Sequence, residues 1–219
     1  AAYDYIGNEI IAMENGNFLV LSPNWSNNGT ANNTGAITWV NGANGQLTDG
    51  SQGGIVSDSN SLVGSGANNW VGAYDFYVKT LSNGNVVIMT PDWDDAGVNP
   101  GAGAVTWMDG ATGLLADGSA GGVISATNSL TGSITFENIV NEIVELESGN
   151  VIVDGRNNLT WINGATGQLA DGNYAGIVSS ANSMMFGEYI EPSNIVPYSG
   201  DSFLFRRAEC GEGCYNSTV

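Results

Sequence analysis

The chain has 219 residues, with 22 Asp and Glu against 4 Lys and Arg and no His, which gives a formal net charge of −18. Affinity for phosphate backbones and anionic lipid comes from Lys and Arg that displace counterions, so this charge excludes nucleic acid and membrane surfaces as partners. No apolar run approaches the roughly 18 residues that a spanning helix needs, which also excludes insertion into a membrane.

The chain repeats itself. Identical residues recur 68 positions apart in the first two copies, as in Gly16 and Gly84, Trp25 and Trp93, and Trp39 and Trp107. A third copy follows at a shorter interval, with Trp161 lying 54 positions after Trp107, because a long loop has shrunk to DGRNN. We therefore divide the chain into repeats 1–67, 68–135 and 136–187 and a C-terminal tail, 188–219.

Each repeat is predicted to contain four strands, and the second copy shows the pattern in chain order. The segments DFYVKTL and NVVIMT flank Ser82-Asn83-Gly84, which predicts a hairpin with a type I′ turn. The long loop PDWDDAGVNPGAG then leads to the third strand, AVTWM, and GGVISATNSL is predicted as the fourth. No stretch has helical periodicity.

The third strand of every repeat is apolar on both faces and carries a Trp, namely Trp39, Trp107 or Trp161. Such a strand is typical of a sheet between two packed layers. The sequence thus predicts an all-β fold, a β-propeller-like stack of three four-stranded antiparallel blades that forms an incomplete ring with a C-terminal tail. A rung of a β-solenoid is less favoured, because 68 residues exceed its usual repeat length.

The tail carries the only two cysteines, Cys210 and Cys214 in ECGEGCY. A local disulfide in an oxidising compartment is the favoured interpretation, with two free thiols as the alternative. The chain begins with two Ala, which suits trimming after a small-residue cleavage site, although a subcloned fragment would look the same. These features favour an extracellular or cell-surface protein.

Two sets of tail residues are candidates for contacts between subunits. Phe203 and Phe205 lie in the predicted strand SFLF, and Arg206 and Arg207 form a dibasic step in a very acidic chain. An ordinary solvated Arg pair is the alternative. An open stack exposes its first and last sheets, so we expect the tail, another copy of the chain or further repeats to cover them.

Residues around the long loop are the candidate ligand site. Trp25 and Trp93 leave the second strand at equivalent points, and an exposed indole beside Asn and Asp is a platform for a sugar ring. More often, a Trp at such a point packs its loop back onto the sheet. Asp92, Asp94 and Asp95 can in principle hold a hard cation. Only one repeat has this carboxylate group, however, so we predict a solvated acidic loop and no metal site.

Catalysis is not predicted, and neither is a cofactor. The chain lacks His and has a single lysine, Lys79, and its two cysteines are better explained as a disulfide. No pairing of a nucleophile with a base can be assembled from these residues.

The order NGNVVIMTPDW, GAVTWMDGATG and SATNSLTG resembles the tandem repeats of large bacterial surface proteins described as haemagglutinin-like, over residues 1 to about 187. It is more distantly similar to the FG-GAP blades of integrin-type propellers, with Pro23 and Pro91 at the position of the motif's Pro. Those blades often carry a calcium loop between their first two strands; here that link is a short Asn-Gly-Asn turn, so calcium is not carried over. The resemblance implies an extracellular structural or adhesive role and brings no catalytic residue.

These observations together predict a non-catalytic extracellular protein that associates with copies of itself into a filament or surface matrix. The alternative is a lectin-like adhesin module that binds glycans through its loop Trp residues.

Overall fold

A computed structural model describes residues 4–186, 190–191, 195–205, 207–209 and 216–217. The fold is all-β with several small sheets that are mainly antiparallel, as predicted. The helical segments of the described residues are single 3₁₀ turns at Asn27–Gly29 and Asp75–Tyr77. Within these ranges, no helix has the length and apolar character needed to cross a lipid bilayer.

The first repeat forms an antiparallel sheet of four strands, β1 (Glu9–Ala12), β2 (Phe18–Ser22), β3 (Ala36–Val40) and β4 (Leu62–Val63). The strands pair in chain order. Val, Ile, Leu and Thr fill most positions of β2 and β3, as suits a pleated sheet surface. Strand β3 is buried along its whole length, whereas Phe18 and Val20 on one face of β2 are half-buried.

The second repeat builds the same sheet from β5 (Val78–Thr80), β6 (Val86–Thr90), β7 (Ala104–Met108) and β9 (Leu130–Thr131). Its remaining strand, β8 (Gly122–Val123), pairs elsewhere. DFYVKTL is not a single strand, because its first half is the 3₁₀ turn that precedes β5.

The third repeat contributes β10 (Glu142–Glu145), β11 (Val151–Asp154), β12 (Asn158–Ile162) and β14 (Ser183–Met185), again in antiparallel order. Its β13 (Gly176–Ile177) leaves this sheet, as β8 does in the second repeat. The repeat therefore keeps the same sheet although its long loop is shortened.

Neighbouring repeats share strands, which the sequence reading did not foresee. The segment GGVISATNSL was predicted to be one strand, and that prediction is wrong. Its beginning, β8, pairs in parallel with β4 of the preceding repeat, while its end, β9, completes its own sheet. The third repeat does the same, with β13 parallel to β9. Each junction thus contains backbone pairing as well as side-chain packing.

The hairpin between the first two strands also differs from the prediction. A type I′ turn needs positive φ at both central residues. In the predicted turn Gly84 has a φ of 86° while Asn83 is not among the residues of positive φ, and Gly16 and Asn15 behave in the same way in the first repeat. Gly16 N donates to Met13 O and Met13 N donates to Asn17 O, which indicates a three-residue loop with glycine in the left-handed position.

The core lies between successive sheets. One cluster joins Leu19, Leu21 and Trp39 of the first repeat to Val86 and Ile88 of the second. The next joins the other face of the second repeat to the third in the same way. The predicted core positions of Trp39 and Trp107 are therefore confirmed, while Trp161 is half-buried.

Beyond the repeats, β16 (Val196–Ser199) and β17 (Ser202–Leu204) form a hairpin. A separate small sheet contains β15 (Ile190–Glu191), β18 (Arg207–Glu209) and β19 (Asn216–Ser217). Cys210 and Cys214 lie outside the described residues, so their predicted disulfide stays a prediction.

Candidate functional site

One backbone carbonyl connects the first and second repeats. Gly110 O accepts hydrogen bonds from Trp39 Nε1 at 3.1 Å, Asn15 Nδ2 at 2.9 Å and Asn17 Nδ2 at 3.1 Å. All three donors come from the first repeat, and Gly110 belongs to the second. Because Gly110 is buried, these bonds satisfy a carbonyl that would otherwise be costly to desolvate.

The second junction repeats this arrangement atom for atom. Gly164 O accepts from Trp107 Nε1 at 3.0 Å, Asn83 Nδ2 at 2.9 Å and Asn85 Nδ2 at 3.0 Å. The spacing of these residues in the sequence is that of the repeat. The donors and the acceptor are therefore a property of the repeat unit, and each unit has a donor face and an acceptor face.

A second glycine of each unit lies flat against the indole of the preceding unit. A Cβ added at Gly113 would lie 2.6 Å from ring atoms of Trp39, and one added at Gly167 would lie 2.9 Å from those of Trp107. These contacts leave no room for a side chain. The Trp of one repeat and the two glycines of the next thus form a fitted pair.

The first repeat presents the acceptor face with nothing from the described part of the chain in the position of a preceding repeat. We define the front surface as Ile10, Phe18, Val20, Gly42 and Gly45. Ile10 is 61% exposed, and Phe18 and Val20 are half-buried. At the first junction the counterparts of Phe18 and Val20, which are Val86 and Ile88, are 0% exposed, and the counterpart of Ile10, Val78, is half-buried. The same positions are thus more buried where a repeat precedes them than where none does.

The two glycines of the front surface are open as well. Gly42, the counterpart of Gly110, is exposed. A Cβ added at Gly45, the counterpart of Gly113, would meet no atom of the described residues within 4 Å. The two glycine positions that contact a Trp in the second and third repeats are therefore accessible to a Trp in the first repeat.

The third repeat presents the donor face at the other end of the stack. We define the back surface as Ser148, Asn150, Ile152, Leu159 and Trp161. Its apolar members share a cluster with tail residues, which are Ile195, Phe203 and Phe205. The tail hairpin thus lies where a following repeat would lie.

A tail carboxylate takes the place of the glycine carbonyl. Asp201 Oδ1 accepts from Ser148 Oγ at 2.5 Å and from Asn150 Nδ2 at 2.7 Å. Hydrogen bonds from Ser148, Asn150 and Trp161 hold the pKa of Asp201 below its ordinary value. Asp201 therefore meets the counterparts of the three side chains that bind Gly110 and Gly164.

Of the predicted assembly residues, the structure places Phe203 and Phe205 against the back surface of their own chain, with ring centroids 6.3 Å apart. Arg206 lies outside the described residues. Arg207 belongs to strand β18, and only its backbone is described. The contact of the two Arg residues with an acidic neighbour stays a prediction.

The predicted sugar platform formed by loop Trp residues is not available. Trp25 and Trp93 are 2% and 3% exposed. Trp93 packs in the core of the first junction and donates from Nε1 to Ile124 O at 3.3 Å. Burial of apolar ring surface favours this position, so both indoles pack the loop against the sheet instead of facing solvent.

The acidic residues of the same loop lie at a pocket. A cavity of about 710 Å³ opens at the loop end of the stack, where all three repeats contribute. Asp92, Asp94, Arg156 and the ring of Phe136 line it, together with the amides of Asn68, Asn138 and Asn141. Asp95 is not among the lining residues. Among the described residues, no group of three or more His, Cys, Asp or Glu is placed to hold a metal ion.

Aromatic side chains that sequence reasoning overlooked lie beside this pocket. Tyr74 and Phe76 are exposed and stack with ring centroids 5.0 Å apart. Burial and then the charge of Asp92 raise the pKa of Tyr77, the third ring of the group. Partial burial also raises the pKa of Asp92. The equivalent positions in the first repeat are Ile6, Asn8 and Glu9, so the aromatic group is peculiar to the second repeat.

One further carboxyl group has an unusual environment. Asp154 is 4% exposed and lies opposite Glu142 in the β10–β11 pair. Burial, assisted by the charge of Glu142, raises its pKa to about 7. The group is thus a protonatable side chain on a strand; it does not itself line the loop pocket, but its backbone carbonyl accepts a hydrogen bond from Asn141, which does.

Comparison with known proteins identifies the repeat. Residues 12–73 and 80–141 each match the repeat DUF5650, described as a repeat of unknown function, and the two matches begin 68 positions apart. No curated protein and no solved structure matches the chain. The predicted tandem repeats are confirmed, whereas the resemblances to haemagglutinin-like repeats and to FG-GAP blades stay predictions. Because the two matches cover more than half of its length, the chain belongs to the family of DUF5650 repeat proteins.

Proposed function

We propose that this chain is a non-catalytic, extracellular structural repeat protein that associates head to tail with other copies of itself into a filament or surface matrix. The observation that carries the proposal is the open front surface of the first repeat. Phe18 and Val20 are accessible there, while their counterparts Val86 and Ile88 are fully buried by the preceding repeat.

The partner that fits this surface is the back surface of a third repeat in another copy. The chain itself contains two junctions between a donor face and an acceptor face, with the same atoms at distances that agree within 0.1 Å. A third junction of this kind needs only a donor Trp and Asn on one side and Gly42 and Gly45 on the other. Trp161 and Asn150 supply the donors. Because the contact uses two different surfaces, it propagates along a series of copies.

The way in which successive sheets stack also supports association between copies. Successive sheets pack face to face through buried clusters, as blades of a propeller do. We propose a propeller-like stack that is continued between chains. The rotation from one repeat to the next then decides whether the assembly closes into a ring or grows as a filament.

The charge of the chain sets the conditions under which this association occurs. At −18, copies repel one another, and salt screens this repulsion beyond a Debye length of about 10 Å at 0.1 M. We therefore expect association to strengthen as NaCl is raised from 10 mM to 0.3 M.

The test is an alanine substitution at Gly45, with Gly50 as its matched control. Both glycines have positive φ, 74° and 83°, and both have open space at the Cβ position. They differ in their counterparts, since Gly113 packs on Trp39 while Gly118 is also open. Gly45→Ala therefore blocks the proposed contact, and Gly50→Ala carries only the same backbone strain.

We expect the mass of the wild-type chain, measured by sedimentation in 0.3 M NaCl, to rise with concentration. Gly45→Ala should weaken this association about tenfold or more, from the cost of overpacking at the junction, and Gly50→Ala should leave it unchanged. A single-chain mass at every concentration, or equal behaviour of the two variants, would contradict the proposal.

A second function, binding of a neutral sugar, is favoured by the loop-end pocket. Sugar hydroxyls both donate and accept, and the pocket offers acceptor-only carboxylates, a donor-only guanidinium and amides that do both. The exposed ring of Phe136 gives an apolar face for stacking. The cavity volume of about 710 Å³ lies within the usual range for small-molecule sites. Asp92 and Asp94 disfavour anionic sugars.

A glycan array with neutral and anionic sugars tests this second function. We expect signal from neutral glycans that is lost in Phe136→Ala and Asp92→Ala and kept in Asp95→Ala, which removes one charge outside the pocket lining. Absence of any signal, or a signal that survives both pocket substitutions, would exclude sugar binding at this pocket.

A further inference from the structure

We infer that the tail hairpin, residues 195–205, stands in for a fourth repeat and competes with the front surface of another copy for the back surface of the third repeat. This inference rests on the proposed function for its partner and on the intramolecular contacts of Asp201 for its mechanism.

Equivalent hydrogen-bond donors act at the two inner junctions and at the tail. At both inner junctions, a Trp indole and two side chains of the Asn-Gly-Asn hairpin converge on one glycine carbonyl oxygen. In the third repeat the corresponding donors are Trp161, Ser148 and Asn150, and they converge on Asp201. A side-chain oxygen from the tail thus takes over the acceptor role of Gly110 and Gly164.

The tail also makes the apolar contact that a following repeat would make. The other members of the back surface, Ile152 and Leu159, pack with Phe203, Phe205 and Ile195 of the tail. At the inner junctions the corresponding residues pack with strands of the next repeat. The tail therefore covers the same face with unrelated side chains.

The tail fits the back surface less closely than a repeat fits the same surface at an inner junction. A cavity of about 340 Å³ lies between Phe203 and the Trp161 and Leu159 side chains. Met184 is 54% exposed, although its counterparts Leu62 and Leu130 are buried. At the inner junctions the indole instead has a glycine in direct contact. Close packing adds dispersion contacts. A repeat, which packs more closely on the back surface, therefore binds it better and can displace the tail.

The unpaired edge of the third sheet also favours binding of another copy over binding of the tail. In each inner junction a strand such as β8 pairs with the outer edge of the preceding sheet. The equivalent segment of the first repeat, around Gly54 and Ile55, is not part of a strand and has no such partner in the described part of the chain, and Ile55 is 76% exposed. The outer edge of β14 pairs with no described strand either. An incoming copy thus gains a strand pair that the tail hairpin does not make.

Asp201→Ala is the direct test, with Asp201→Asn and Asp95→Ala as controls. Alanine removes the acceptor that holds the tail. Asparagine keeps a neutral acceptor oxygen, as the glycine carbonyls are neutral, and Asp95→Ala removes one negative charge from an exposed loop position elsewhere. A role of the acceptor oxygen predicts that only alanine has a large effect, whereas a role of charge alone predicts that all three variants behave alike.

Two readouts separate this inference from the proposed function. Amide hydrogen exchange of residues 196–204 reports whether the tail is held, and sedimentation reports association. For Asp201→Ala we expect exchange to speed up and association to strengthen, each about tenfold, because the donors Ser148 and Asn150 lose their acceptor oxygen. Adding Gly45→Ala should cancel the gain in association and leave the faster exchange.

The outcomes are distinct. Faster exchange without stronger association supports the tail contact as described and overturns competition with another copy. The proposed function is decided separately, by whether the mass of the wild-type chain rises with concentration and whether Gly45→Ala weakens that rise. Unchanged exchange in Asp201→Ala overturns the inference, whatever the association does. Equal effects of Asp201→Asn, Asp201→Ala and Asp95→Ala overturn the acceptor role of Asp201.

Discussion

Alanine at two equivalent glycines measures what a junction between repeats requires. Gly45 and Gly113 occupy the same position of the same turn in the first and second repeats, with φ of 74° and 76°. A residue with a Cβ in this left-handed region costs about 1–2 kcal/mol, so both substitutions carry the same backbone strain. They differ because the preceding repeat covers Gly113 and no described residue covers Gly45.

The additional cost at Gly113 follows from its distance to the indole. The new Cβ would lie 2.6 Å from Trp39, whose ring is 4% exposed and whose Nε1 donates to Gly110 O at 3.1 Å. The ring therefore cannot retreat without losing packing or its hydrogen bond. Overpacking of this kind costs about 1–3 kcal/mol. We expect Gly113→Ala to lower the free energy of unfolding by that amount more than Gly45→Ala does.

Urea unfolding, followed by circular dichroism at a concentration where the chain is a monomer, gives this difference. Both variants should keep the wild-type dependence on urea, because the surface exposed on unfolding is unchanged. Equal destabilisation by the two substitutions would refute the reasoning, since it would mean that the first repeat is covered as the second is.

Three more predictions follow from the described contacts. Burial raises the pKa of Asp154 to about 7 from an ordinary 3.8, so the folded chain keeps a proton that the unfolded chain loses, and this group's contribution to stability falls as pH rises from about 4 to 7. Asp154→Asn should remove that fall, on the order of 2 kcal/mol after allowance for solvent screening, and equal pH dependence of unfolding in wild type and variant would refute it. Trp93→Ala should destabilise the chain by about 3–5 kcal/mol in urea unfolding because the buried ring leaves a cavity, and a change below 1 kcal/mol would argue against its packed position. Asn85→Ala removes donors to Gly164 O and Ala165 O and should cost about 1–3 kcal/mol by the same measurement, whereas no loss would mean that the carbonyls find other donors.

The sequence predicts the repeat unit and its core because both depend on local periodicity. The 68-residue spacing and the alternation around Trp39 and Trp107 mark the buried strands, and the Asn-Gly steps mark the turns. The pairing of Gly122–Val123 with the preceding repeat was not predictable in this way. A two-residue strand carries no periodicity, and its partner lies about 60 residues away in the chain.

The hydrogen bonds to the glycine carbonyls between repeats were also not predicted, for a different reason. Its acceptors are backbone carbonyls of Gly110 and Gly164, and a backbone oxygen leaves no mark on residue identity. The recurring Asn-Gly-Asn was interpreted as turn chemistry alone, although its Asn side chains also reach the next repeat. For Trp93 the sequence left both a surface sugar platform and a packed ring open, and the ring packs on the preceding sheet. The available signal for a shared contact was the recurrence in all three copies of the third-strand Trp and of the Asn that follows the turn Gly.

The central claim is that the front surface of one copy receives the back surface of another, and a structure of the associated Asp201→Ala variant by electron cryo-microscopy tests it most directly. We predict that Trp161 of one copy donates to the Gly42 carbonyl of the next at about 3 Å, as in the inner junctions. An assembly whose copies meet through other surfaces, with the tail hairpin still on Trp161, would contradict it.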